Sequence, residues 1–193
     1  MTSLADFEAT SALLSGHFRL SSGLHSDRYL QCARLLQWPE RAEKAGRELA
    51  AALAEFGPRA VVAPAMGGLI IGHEVARALN VPFVFAERQE GTFTLRRGFG
   101  VEPDTPVAIV EDVFTTGRST REVIDMLRGL GANVVAAGSI VDRGLTPGAL
   151  PIPARSLLTL NVPAWAESDC PLCAKGLPLS TPGSRYQKPK TDS

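Results

Sequence analysis

The chain has 193 residues, which suits a single domain able to bury roughly 70% of its unfolded surface. Its 20 basic residues balance its 20 acidic ones, so the lopsided basic surface of a general nucleic-acid binder is missing and any basic patch must be local. No run approaches the ~18 apolar residues of a membrane span, the first eight residues lack a secretory pattern, and three cysteines suit free thiols in a reducing compartment. A cytoplasmic protein is expected, with neither a membrane nor a nucleic acid as partner.

In chain order, residues 3–15 have a weak amphipathic pattern and predict a helix. Residues 17–29 alternate and turn around Ser22-Gly23, which predicts a hairpin or small cap. Ala45, Leu49, Ala52 and Leu53 recur at helical spacing within 39–56, and Gly57-Pro58 stops them. Alternating units follow: a strand over 60–63, a helix over 69–79, strands over 83–86 and 107–110, a helix over 119–130, and strands over 134–141 and 154–160. Strands alternating with helices imply an α/β fold with a parallel sheet and right-handed crossovers. Residues 87–105 are charged, punctuated by glycine and without a helical partner, as in a mobile lid or two-stranded flap. The tail over 179–193 reads as loosely ordered.

The most informative stretch is Val107-Ala-Ile-Val-Glu-Asp-Val-Phe-Thr-Thr-Gly-Arg-Ser-Thr120. Val107 to Val110 suit a strand covered on both faces. Glu111 and Asp112 end it, and a turn of small, hydroxylated residues opens the next helix. Gly117 permits a tight turn and close approach of a ligand. Backbone N–H groups there lack intrahelical partners and point at an anion. Thr115, Thr116, Ser119 and Thr120 add hydroxyl donors, and Arg118 adds charge. No Gly-Lys-Ser/Thr is present, so this is not a Walker loop, and no Gly-x-Gly-x-x-Gly supports a dinucleotide site. The pattern fits a cradle for a phosphorylated ribose.

That stretch resembles the 5-phosphoribosyl pyrophosphate (PRPP) motif of the type I phosphoribosyltransferases. Four other segments make the chain similar to the orotate phosphoribosyltransferase branch of that family. They are Gly16-His-Phe-Arg-Leu-Ser-Ser-Gly-Leu-His-Ser-Asp-Arg-Tyr-Leu30, Ala63-Pro-Ala-Met-Gly-Gly-Leu69, Glu87-Arg88 with Thr94-Leu-Arg-Arg-Gly98, and Ser139-Ile-Val-Asp-Arg143. The resemblance implies a parallel sheet flanked by helices in one domain over 1–193, with an N-terminal hood over 1–35 and a flexible flap over 87–105. It implies transfer of phosphoribose from PRPP to orotate, with Mg²⁺ arriving mainly through PRPP rather than held by protein ligands. It also implies a homodimer in which the flap reaches the neighbouring subunit.

By the same resemblance Glu111 and Asp112 contact the ribose hydroxyls, with Asp112 in the more closely engaged position. Val113, Phe114, Thr115, Thr116, Gly117, Arg118 and Ser119 bind the rest of PRPP, and Met66, Gly67 and Gly68 form the pyrophosphate loop. Some members carry a lysine where Gly67 stands. Arg88, Arg96 and Arg97 are the flap cations, suited to phosphate oxygens by their paired donors. Arg143 would clamp the carboxylate of orotate, with Thr115, Ser22 and Gly23 around the base, although a salt bridge to Asp142 is an alternative use of Arg143. Two other functions stay open: a purine-base phosphoribosyltransferase, and a non-catalytic PRPP-sensing regulator. Cys170-Pro-Leu-Cys173 reads as structural thiols, because no second Cys-x-x-Cys or histidine pair accompanies it in sequence. His17, His25 and His73 look scattered, and Tyr29 reads as core.

Overall fold

A computed structural model describes residues 1–20 and 22–182. In chain order the elements are α1 (Leu4–Ala9), β1 (Leu13–Arg19), β2 (His25–Leu30), α2 (Ala33–Leu36), α3 (Pro39–Leu53), β3 (Ala60–Pro64), α4 (Gly68–Leu79), β4 (Phe83–Gln89), β5 (Thr92–Leu95), β6 (Pro106–Phe114), α5 (Arg118–Gly129), β7 (Asn133–Asp142), β8 (Ala154–Thr159) and α6 (Pro171–Ala174). They fall into two compact units. One comprises Met1–Ala12 and Cys32–Asn161; the other comprises Leu13–Gln31 and the described residues from Val162 onward.

The larger unit is built on a sheet of order β5-β4-β3-β6-β7-β8. Every neighbouring pair is parallel except β4 with β5. The continuous apolar runs explain why these strands are central: all of β3 is buried, and Val107 to Val110 have no exposed surface. Val123, Ile124 and Leu127 of α5 pack on one face against Val62, Val107 and Ile109. Each such buried side chain stabilises the fold by roughly 1.5–3 kcal/mol. α3 and α4 lie together and pack on β3, β6, β7 and β8. They approach so closely that a Cβ at Gly46 would sit 2.4 Å from that of Glu74.

Most strands run further than their apolar runs predict, because ladder hydrogen bonds extend into polar residues at the strand ends. β4 continues to Gln89, turns through Glu90 and Gly91, both at positive φ (50° and 89°), and returns as β5. Two positive φ values are what a two-residue hairpin turn requires. The charged stretch over 87–105 therefore begins as an edge hairpin of the main sheet. The helix expected over residues 3–15 is shorter. Ser3 and Asp6 form a reciprocal capping box, α1 ends at Ala9, and Ser11 turns the chain at φ 53°. Leu13 and Leu14 then enter a strand, paired with Leu30 and Tyr29.

The smaller unit is the hairpin β1–β2 and the chain from Val162. Its turn closes as the Leu20 N–H donates to the Leu24 carbonyl and the N–H of Gly23, a residue at φ 86°, donates to the Leu20 carbonyl. The later chain grips both edges of the hairpin. Trp165 exchanges two 2.8 Å backbone bonds with His25 beside β2, while Ser180 bonds to His17 and Arg19 beside β1. Ser180 is thus paired, where a loose tail was expected from 179; residues 183–193 of that tail lie outside the described residues. The rings of Phe18 and Tyr29 are 5.8 Å apart, and Tyr29 is half-buried. His17 and His25, which looked scattered, meet Cys170 and Cys173 here, which corrects the expectation that the thiols have no histidine partners.

Candidate functional site

In the larger unit the C-terminal ends of β3, β6 and β7 lie side by side. From β3 the chain crosses to β4 on one side, and from β6 it crosses to β7 on the other. The strand order therefore reverses between β3 and β6, and a crevice opens there in sheets of this kind. Gly67, just after β3, faces Asp112, near the end of β6. A Cβ built on Gly67 would sit 2.6–2.8 Å from the carboxylate atoms of Asp112, and one on Gly68 would sit 2.8 Å from the Val110 carbonyl oxygen. A side chain at 67 would require the Asp112 carboxylate or the loop to move. The Ala65–Met66 peptide is cis, and Met66 is exposed.

Strand alternation sends Glu111 and Asp112 to opposite faces of β6. Glu111 is buried and feels the charge of Arg88; its carboxyl is pushed up to about 8, first by burial and then by the neighbouring Asp112. Asp112 is also raised by burial, partly countered by the Val113 N–H, which donates to Oδ1 at 3.0 Å. A buried carboxyl held protonated near neutrality costs stability only when it ionises. The folded form of Glu111 keeps its proton between its ordinary value near 4.5 and about 8, while the unfolded chain does not. Stability linked to Glu111 is complete below about 4.5, falls as pH rises through that window and is fully lost above about 8. Glu111→Gln should therefore raise the melting temperature at pH 9 relative to the parent while leaving it nearly unchanged at pH 5. Calorimetry at both values checks this; an equal effect at the two pH values contradicts it.

The turn after β6 comprises Thr115, Thr116 and Gly117, with both threonines exposed. Gly117 has φ 74°, and an added Cβ would lie 2.8 Å from Leu145 and 3.1 Å from Leu150. Among the described residues, the N–H groups of Thr115, Thr116 and Gly117 meet no acceptor. They line up with the open first turn of α5, which begins at Arg118 and includes Ser119. Unpartnered N–H groups at a helix start are the arrangement that can accept an anion. The ring of Phe114 is buried in the core and Val113 is half-buried, so Phe114 offers the site only its backbone. The Phe114 carbonyl accepts from the Arg143 N–H at 2.9 Å, which sets the start of the Arg143 loop beside that turn. Asp142 caps that loop, its Oδ1 accepting from the N–H groups of Gly144 and Leu145 at 2.8 and 2.7 Å.

The three hairpin arginines differ. Arg88 stacks on Phe93, 4.1 Å from the ring centroid, donates to the Gly91 carbonyl and pairs with Glu122 of α5, which also holds Arg118. Arg97 makes two 3.0 Å bonds to Glu87. Arg96 is exposed and in no ion pair among the described residues. Ser22 and Gly23 belong to the smaller unit, at the β1–β2 turn, whereas Thr115 and Arg143 belong to the larger one. Sequence reasoning missed Cys32, a buried thiol 3.8 Å from the Asp112 carbonyl oxygen, raised by burial and then by Asp112. No pattern near residue 32 signals that contact, because 80 positions separate the partners.

Comparison with known proteins agrees with this geometry. A model of the phosphoribosyl transferase domain matches residues 31–168. Orotate phosphoribosyltransferase of Thermotoga maritima is 52% identical over 181 residues, covering 94% of this chain and 97% of that protein. The Pelotomaculum thermopropionicum protein of the same name is 52% identical over 182 residues, covering 94% and 96%. Among solved structures, that of orotate phosphoribosyltransferase from Aeropyrum pernix superposes with a TM-score of 0.66 at 30% identity, covering 80% of this chain and 91% of that one.

Proposed function

The chain belongs to the orotate phosphoribosyltransferase family, and from that membership we infer how its residues carry the reaction. It transfers the 5-phosphoribosyl group of PRPP to orotate, giving orotidine 5′-monophosphate and pyrophosphate in pyrimidine nucleotide synthesis. A ring nitrogen of orotate forms the new bond to C1′ as the C1′–pyrophosphate bond breaks. Positive charge develops on the ribose and negative charge on the leaving oxygens. Anchoring, charge neutralisation and exclusion of water matter more here than a strong base.

The observation that supports the residue assignment is the meeting of the Gly67 loop, the half-buried Asp112 and the unpartnered N–H groups after β6 at the C-terminal ends of the strands. The cradle from Thr115 to Ser119 holds the 5′-phosphate. Asp112, with Glu111, orients the ribose hydroxyls, and the backbone of Met66, Gly67 and Gly68 faces the pyrophosphate. Of the hairpin cations, Arg96 is the one open to the leaving group, since Arg88 and Arg97 are engaged by Glu122 and Glu87. Arg143 supplies the cation for the orotate carboxylate, which a neutral purine lacks. Mg²⁺, a hard cation that keeps its waters, would arrive mainly on the phosphates of PRPP. Bound there, Mg²⁺ would neutralise pyrophosphate charge.

The test is the fall of orotate absorbance on mixing protein, PRPP and Mg²⁺, with adenine, xanthine and uracil as competing acceptors. Orotate should be consumed only with Mg²⁺ present. Arg143→Ala should raise the KM for orotate at least ~10-fold with little change for PRPP, and Arg96→Ala should do the reverse. Equal effects of both variants on both substrates would sink the two assignments.

A further inference from the structure

We propose that the smaller unit holds a structural zinc ion on His17, His25, Cys170 and Cys173, separate from the Mg²⁺ that accompanies PRPP. The ligand atoms of the four side chains all lie within 4.8 Å of one another. His17 Nε2 is 3.0 Å from His25 Nδ1 and 3.6 Å from each of the two sulfurs, and His25 Nδ1 is 3.2 Å from the sulfur of Cys173. A tetrahedral zinc ion, with Zn–S about 2.3 Å and Zn–N about 2.0–2.1 Å, spaces its ligand atoms roughly 3.3–3.8 Å apart. The distances of 3.0–3.6 Å lie within a few tenths of an ångström of that spacing, and no pair exceeds 4.8 Å. Two nitrogens and two sulfurs favour zinc over Mg²⁺, which takes oxygen.

The hydrogen-bond inventory points the same way. The Nδ1–H of His17 donates to the Leu177 carbonyl at 2.9 Å, so Nε2 carries the lone pair. That one lone pair faces three neighbours: His25 Nδ1 and both sulfurs. It can accept from only one of them at a time, and His25 Nδ1 is left to share the Cys173 sulfur at 3.2 Å, all in a buried place where His17, His25 and Cys170 are 5%, 2% and 3% exposed. A single cation at the centre satisfies all four groups. The carbonyl bond to His17 is also the outer support that orients a ligating imidazole.

The local fold builds the site from both sides. His17 and His25 come from the two strands of the hairpin, near its turn. Cys170 precedes α6 and Cys173 lies within it, and Gly176, at φ 65°, bends the chain back so that its N–H reaches the Cys173 carbonyl. The segment with both cysteines lies between Trp165 and Ser180, the two points that pair with opposite edges of the hairpin. Among the described residues of the smaller unit, the buried apolar ones are few: Leu13, Phe18, Leu30, Val162 and Cys170. So small a core needs a staple, and a metal is one of the available kinds. On binding, the two thiols release their protons to solvent and the histidines stay neutral. Two thiolates then balance the charge of Zn²⁺, and no oxidation or reduction occurs.

The full-length chain, purified without chelator, should carry about one zinc per chain by plasma mass spectrometry. After removal of zinc and addition of Co²⁺, it should show the visible bands and the thiolate charge-transfer band of a tetrahedral sulfur–nitrogen site. Cys170→Ser with Cys173→Ser should abolish both readouts and lower the melting temperature by roughly 5 °C or more. If that variant does not fold, the cobalt spectrum of the parent chain still decides. Absence of zinc together with no tetrahedral cobalt spectrum overturns the proposal, as does a Cys170–Cys173 disulfide in the intact mass of freshly purified, unreduced protein. None of these readouts depends on phosphoribosyl transfer.

Discussion

Asp112→Asn should lower kcat by about 10²–10³-fold, the usual cost of removing one preorganised charged contact at a reacting centre. The asparagine keeps the shape of the side chain, so packing against Gly67 is retained. Stability should not suffer. Burial raises the pKa of Asp112, so ionisation of this group opposes folding, and the neutral amide removes that opposition. The expected pair of results is a melting temperature at or above that of the parent with turnover nearly lost. Retained turnover would mean that Asp112 does not touch the sugar. A large fall in melting temperature would mean that the carboxylate holds the fold together instead.

Gly67→Ala should also impair catalysis, for a different reason. The backbone at Gly67 is helical, at φ −58° and ψ −40°, so alanine can adopt it. Intrinsic propensity alone would favour the change by up to ~1 kcal/mol. The added methyl, however, would lie 2.6 Å from Asp112 Oδ1, well inside contact distance. Either the loop or the carboxylate must move, and displacements on the order of 1 Å at such a site cost up to ~10²-fold in rate. A loss of kcat/KM of at least ~10-fold with a melting temperature within a few degrees of the parent is expected. Glycine at 67 is then a consequence of how close Asp112 stands. Full activity in the alanine variant would show that the loop does not need this contact.

Much of the larger unit was legible from residue pattern. The runs Val107–Val110 and Ala60–Ala63 are short, apolar and bounded by turn residues, and they became neighbouring central strands. The glycine and hydroxyl cluster after β6 marked the start of α5, where amides have no internal partner. Other features depended on long-range geometry that local pattern does not encode. Residues 3–15 split between a helix and a strand because Leu13 and Leu14 find partners at Leu30 and Tyr29. The ion pairs that separate Arg96 from Arg88 and Arg97 arise from the hairpin pairing and from α5. The four-residue cluster was invisible for a similar reason. Its histidines are eight positions apart and its cysteines nearly 150 further on, a spacing that matches no compact metal motif.

The account turns on where the phosphate of the product sits. A crystal structure with bound orotidine 5′-monophosphate tests this most directly. The phosphate should lie on the N–H groups from Thr115 to Ser119, with the ribose hydroxyls against Asp112. A nucleotide bound with its phosphate elsewhere, and those amides facing only water, would contradict it.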